Sequence, residues 1–145
     1  MEERFLLFTA AGEGFAFNLR EICEVMEPQA SFAVPGAPRH FMGLINFHGI
    51  LTALVDLGLY LGRDHHAPQG NVLVLDTGIA QLALSVEGVR AIVSREAITG
   101  ESPGETPLTA ALLESAYGTS RLLRLETLLS GLEQGLQKQS AGTRW

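Results

Sequence analysis

The side chains able to do chemistry in this chain of 145 residues are few and scattered. Four histidines stand at positions 40, 48, 65 and 66. His65 and His66 are adjacent in the polar run "GRDHHAPQG", but no H-E-x-x-H accompanies them. A solvated loop accounts for the pair. Cys23 is the only cysteine, which excludes an intramolecular disulfide and a sulfur-rich metal site. It lies among apolar residues of an expected strand and reads as a small buried hydrophobe, not a reactive thiol. Glu21, Glu24 and Glu27 read as a solvated acidic edge rather than an acid/base pair. Ser94, Ser102, Ser115 and Ser120 lack a G-x-S-x-G elbow. The glycines form neither G-x-G-x-x-G after a strand nor a phosphate loop. No catalytic, metal or cofactor site emerges, so a non-enzymatic protein is expected.

Binding of other kinds is constrained by composition. The net charge of −6 argues against a nucleic-acid partner, which needs clustered Lys and Arg. Nearly half of the residues are apolar, enough for one domain or for two small barrels sharing a core. A single free thiol fits a reducing compartment, and "MEERFLLFTAAGEG" does not read as a secretory signal, so a cytoplasmic protein is expected. Residues 41–61, "FMGLINFHGILTALVDLGLYL", have membrane-span length. A helix there would place Asn46, His48 and Asp56 in hydrocarbon, with Asp alone costing roughly 2.5–3.5 kcal/mol near the centre. Three glycines and the lack of flanking Lys or Arg clusters tell the same way. No membrane insertion is expected.

The elements that would position any site are mostly strands. "RFLLF" runs into the glycine-bearing turn "TAAGEG", and "FAFNL" alternates with Phe15, Phe17 and Leu19 on one face. "VPGAP" is a loop, because prolines cannot donate to a ladder. The pattern then repeats. At an offset of 67, Phe15, Phe17, Leu19, Ile22, Val25 and Met26 meet Leu82, Leu84, Val86, Val89, Ile92 and Val93. Leu6–Phe8 meets Leu73–Leu75 at the same offset, and residues 54–61 meet 122–129 at an offset of 68. Two similar, interleaved β units packed on a shared interface are expected, with cores at about 15–70 and 80–125 inside one domain of residues 1–135. "TPLTAALLESAYG" has near-helical spacing and is expected to be a short helix or helical turn. "LRLETLLSGLEQGLQK" is expected as a closing strand running into a helix, with residues 136–145 a frayed tail.

One segment stands apart. "ILTALVDL", residues 50–57, reads as a strand with Ile50, Leu54 and Leu57 inward. Before it, "GLINFHG" places Asn46 and His48 on one face at spacing two. They could satisfy local backbone groups or form a polar docking edge. Residues 34–62, "VPGAPRHFMGLINFHGILTALVDLGLYLG", resemble the most characteristic block of the CheW-like family of chemotaxis coupling proteins. The family pattern runs V-P-x-x-P, a short spacer, G-x-I-N-x-R-G and an apolar strand ending V-D-L. Val34, Pro35, Pro38, Gly43, Ile45, Asn46, Gly49, Val55, Asp56 and Leu57 match in place, and a weaker likeness covers about residues 4–130.

The resemblance implies an all-β fold of two pseudo-repeated five-stranded Src-homology-3-like barrels, with short helical segments near the C-terminus. It also implies a non-enzymatic adaptor joining the cytoplasmic tips of chemoreceptors to a CheA-type histidine kinase. The receptor helix would dock in an apolar groove between barrels, and barrel ends would contact the kinase. Val25, Gly43, Asn46, His48, Gly49 and Asp56 are the partner-binding residues expected on that basis, and self-association is a further possibility. This chain departs from the pattern at His48, where the family has Arg, and at Ala53, where it has Pro. Leu84 and Arg124 stand where it has Asp. Arginine offers a permanently charged planar fork that histidine does not. An alternative therefore stands beside the adaptor: a divergent module that binds another signalling protein or itself.

Overall fold

The computed structural model describes residues 2–62 and 69–142, so His65 and His66 lie outside the described residues. Strands β1 (Arg4–Ala10) and β2 (Glu13–Asn18) form a hairpin whose turn, Ala11-Gly12, has positive φ at both residues. After a 3-10 turn come β3 (Ile22–Met26), β4 (Phe41–Phe47), β5 (Ile50–Asp56) and the short helix α1 (Leu57–Tyr60). The series then starts again with β6 (Asn71–Leu75), β7 (Leu82–Val86) and β8 (Gly88–Ser94). It ends with β9 (Gly100–Pro103), β10 (Thr109–Ser115), β11 (Gly118–Leu123) and α2 (Leu125–Gly142). At shifts of 67 to 68 positions β1, β2 and β3 fall on β6, β7 and β8, while β4, β5 and α1 fall on β10, β11 and the start of α2. The repeat seen in the apolar pattern is thus a repeat of elements.

The two halves do not each make their own sheet. One sheet runs β8-β1-β2-β11-β10-β9 and the other β3-β6-β7-β5-β4. Each sheet takes its leading hairpin from one half of the chain and its remaining strands from the other. Parallel pairs join the exchanged pieces: β11 with β2 (Arg121↔Phe15) and β5 with β7 (Ala53↔Leu82). Cores at 15–70 and 80–125 are therefore corrected. β2 belongs with the second half's strands and β7 with the first half's, and the expected fifth strand becomes a sixth in one sheet.

Exchange explains the run of apolar residues in β1, β2, β6 and β7. Phe5 and Leu7 face one barrel interior with Ala16, Ala111 and Leu113. Leu6, Phe8, Phe15 and Phe17 face the opposite way, into a core shared between the barrels with Leu73, Leu75, Leu82, Leu84 and Val86. The second barrel has its own interior of Ile45, Phe47, Leu54, Val72, Val74 and Ala83. Strands buried on both faces read as continuous apolar runs rather than alternations. Leu125, Leu128 and Leu132 of α2 complete the shared core.

Three other expectations change. "TPLTAALLESAYG" is not helical: Thr109, Ala111 and Leu113 are buried and alternate with half-buried Ala110 and Leu112 in β10. Pairing with β9 and β11 on both sides overrides the local helical preference of its alanines and leucines. Leu57 is buried, as is Leu54, but it opens α1 instead of ending a strand, and Ile50 is only half-buried. The helix α2 continues to Gly142, so residues 136–142 of the supposed tail have helical backbone.

Candidate docking surface

The β4–β5 hairpin closes on two residues, His48 and Gly49, with φ of 51° and 86°. A two-residue turn with both φ positive suits the right-handed twist of paired strands. Glycine adopts it freely, and histidine is among the residues enriched there. The Asn46 side chain locks the turn: its Oδ1 accepts from the Gly49 backbone N–H at 2.7 Å. Asn46 thus does what a local backbone partner does, while remaining exposed. His48 has left the strand, so period-two alternation does not govern it. Its ring packs edge-on against Phe47 with centroids 4.5 Å apart, and its Nε2 reaches Glu24 Oε1 on β3 at 3.5 Å. This contact spans the two edge strands of the five-stranded sheet.

Val25 neighbours Glu24 but points the other way. It pairs with Leu73, whose side chain enters the shared core, and Val25 is 40 % exposed. Its equivalent in the repeat, Ile92 on β8, pairs with the shared-core residue Leu6 and is 53 % exposed. Ile22 and Val89, three positions before each, pack against the shared core. Each barrel therefore leaves one aliphatic side chain open where its third strand meets the seam. Ile92 was absent from the expected site, although the offset of 67 had already aligned it with Val25. Cys23, two residues before Val25, is exposed, not buried, at the irregularity between Ile22 and Glu24. A register shift on an edge strand turned it outward, which periodicity along β3 alone did not reveal.

Two of the expected docking residues have structural work instead. Asp56 is only 8 % exposed and caps α1, its Oδ1 accepting from Leu59 N–H at 3.1 Å. Gly43 is buried, with φ of 142°, and a methyl group there would sit 2.3 Å from the Phe32 carbonyl oxygen. It permits residues 31–32 to lie against β4, where Phe32 and Leu44 exchange backbone hydrogen bonds of 2.8 and 2.9 Å. Val25, Asn46, His48 and Gly49 remain on the surface. Near Asp56, His40 stacks edge-on against Tyr60 with centroids 5.2 Å apart. Burial holds the His40 imidazole below its usual range, and the neighbouring Asp56 carboxylate pulls it partly back.

Among the described residues, no three His, Cys, Asp or Glu side chains converge to hold a metal. None of the described helices is long and apolar enough to cross a membrane. What the arrangement offers is a two-barrel body with exposed aliphatic side chains at its seam and a polar hairpin tip, surfaces suited to contact.

Comparison with known proteins agrees. The CheW family, described as the CheW-like domain, matches residues 4–132. A protein of Rhizobium etli named "Probable chemotaxis protein CheW" is 24% identical over 143 residues, covering 91% of this chain and 90% of its own. The crystal structure of scaffolding protein TtCheW from Thermoanaerobacter tengcongensis superposes with a TM-score of 0.71 at 16% identity, covering 86% of this chain and 90% of that one. Its likeness is in the fold: two Src-homology-3-like units in one body. With the match spanning nearly its whole length, this chain belongs to the CheW-like family, whose members are non-enzymatic scaffold proteins.

Proposed function

We propose that this chain is an adaptor of bacterial chemosensory signalling, acting in the cytoplasm by docking a chemoreceptor tip and a CheA-type histidine kinase. The observation that carries the reading is the Val25–Ile92 pair, one exposed aliphatic residue per barrel at equivalent places beside the shared core. An amphipathic helix binds such a seam through apolar anchors. Asn46, His48 and Gly49 form the polar hairpin tip that meets the second partner. Co-sedimentation with a receptor fragment and a CheA-type kinase tests the assignment. Both should co-sediment with the wild type, and Val25→Glu or Ile92→Glu should release the receptor fragment at unchanged melting temperature. Binding to neither partner sinks the reading.

One observation favours the second reading, a divergent module. His48 fills the place of the family arginine and is held between Phe47 and Glu24. His48→Arg separates the two: stronger kinase binding marks an adaptor weakened at one contact, and no change marks an interface that has moved elsewhere.

A further inference from the structure

The helix α2 leaves β11 of the six-stranded sheet and reaches across to the other barrel. Leu125, Leu128 and Leu132 fasten its first turns in the shared core. After Leu132 the helix meets water: Glu133 and Gln134 are exposed and Gly135 is half-buried. That stretch touches the first barrel through glycines. A methyl group at Gly131 would overlap the Tyr60 hydroxyl, and one at Gly135 would lie 3.8 Å from His40 Cε1. A spacing of four sets both glycines on one face of the helix. Tyr60 and His40 stack edge-on beneath them, with centroids 5.2 Å apart. Glycine disfavours a helix interior, so the contact is gained where the helix itself is weakened.

This seat holds a group that titrates close to neutrality. His40 is half-buried between Tyr60 of α1 and Gly135 of α2. The Asp56 carboxylate lies near it at the end of β5, and Arg39 precedes it in the chain. Along α2 the charged residues nearest in sequence to Gly135 are Glu133 and Lys138. Burial disfavours the imidazolium and outweighs the pull of Asp56. Part of that cover is α2 itself, because Gly135 lies on the ring.

We propose that the second half of α2 is an acid-released strap, seated on His40 and Tyr60 at neutral pH and lifted when His40 takes up a proton. Lifting the helix returns water to the imidazolium, so the proton favours the lifted arrangement over the seated one. Seating is therefore strongest above the ordinary histidine value of 6.5 and weakens as the pH falls below it. Leu125, Leu128 and Leu132 stay in the core, which keeps the release local. This device does not depend on receptor or kinase binding.

Amide hydrogen exchange of the full chain at about pH 7.5 and about pH 5 tests it. Protection over residues 131–142, corrected for the intrinsic exchange rate, should fall about threefold or more at the lower pH, and further than that of β1. The neutral replacements His40→Leu and His40→Gln should abolish the extra fall. Gly131→Leu, which unseats the helix by bulk, should leave this stretch poorly protected at both pH values. Its His40 imidazole, followed by proton magnetic resonance, should titrate higher than in the parent. Parent protection that falls no further in α2 than in β1 overturns the proposal. So does an undiminished fall in both neutral variants, or a His40 titration unmoved by Gly131→Leu.

Discussion

The two barrels share a plan and differ at their seams. In one, the third strand reaches the hairpin tip through Glu24 and His48. In the other, Arg90 lies over the Tyr117 ring at 5.7 Å. The first tip turns on His48-Gly49, both at positive φ, while in the second only Gly118 has positive φ. Inside, the equivalences hold: Phe17 matches Leu84, Leu6 matches Leu73 and Phe15 matches Leu82, all within one shared core. Burial tolerates only exchanges that keep apolarity and approximate volume, whereas exposed closures need only some favourable contact. Likeness therefore marks what holds the barrels together, and difference gathers at the exposed closures.

The sharpest way to break this comparison is at the shared core. Phe17→Ala should lose about 3–5 kcal/mol and its counterpart Leu84→Ala about 2–5 kcal/mol. Denaturant unfolding of each should remain one transition by both far-ultraviolet dichroism and near-ultraviolet absorbance. Two separated transitions would show barrels that stand independently. A smaller loss is expected at Gly43, whose counterpart Ala111 is buried without strain. Gly43→Ala should lose about 1–3 kcal/mol, because its φ of 142° and the nearby Phe32 carbonyl leave no room for a methyl group. Unchanged stability would mean that the Phe32 segment simply lifts away.

The helix starts sharpen the comparison further. Asp56 N–H donates to His40 and Arg124 N–H to Leu108, each at 2.7 Å, so the two residues occupy the same place before α1 and α2. Only Asp56 can cap. Thr127 N–H now bonds to the Arg124 carbonyl at 3.1 Å; Arg124→Asp should add a side-chain acceptor in that first turn and stabilise the fold by about 0.5–2 kcal/mol, measured by urea denaturation. A loss would show that the Arg124 side chain contributes more than a cap would.

The smallest effect is pH-dependent. His40 matches Leu108 of the other barrel, and its imidazole is depressed in the folded state mainly by burial, against the opposing pull of Asp56. A depressed group contributes stability above its unfolded value, near 6.5, and loses it as the pH falls through the folded value. The melting temperature should therefore drop between about pH 7 and pH 5, and His40→Leu should shrink that drop. An equal drop in the variant would place the acid sensitivity elsewhere.

Much of this was legible before any coordinates. The offset between "FAFNL" and "LALSV" exposed the repeat, whereas "GLINFHG" was read at strand spacing and its two-residue turn at His48-Gly49 came only with the structure. Asp56 and Gly43 were recognised as special residues but not for their reasons, since capping and backbone approach leave the same trace as partner contact. Phe32 drew no notice, because one aromatic before a proline loop says nothing about whether it is buried. Cys23 and the β10 segment were misplaced for a related cause: edge irregularities and pairing on both sides are set by distant strands.

By itself, the amino-acid sequence determined the strand-rich character and the doubling, because period and turn chemistry are local. Only the tertiary structure decided that the leading hairpins trade places between sheets. Two parallel pairings far apart in the chain bury both faces of β1, β2, β6 and β7, and no local pattern encodes which half supplies a neighbour. From that exchange come the shared core and the seam that sets Val25 and Ile92 at its margins.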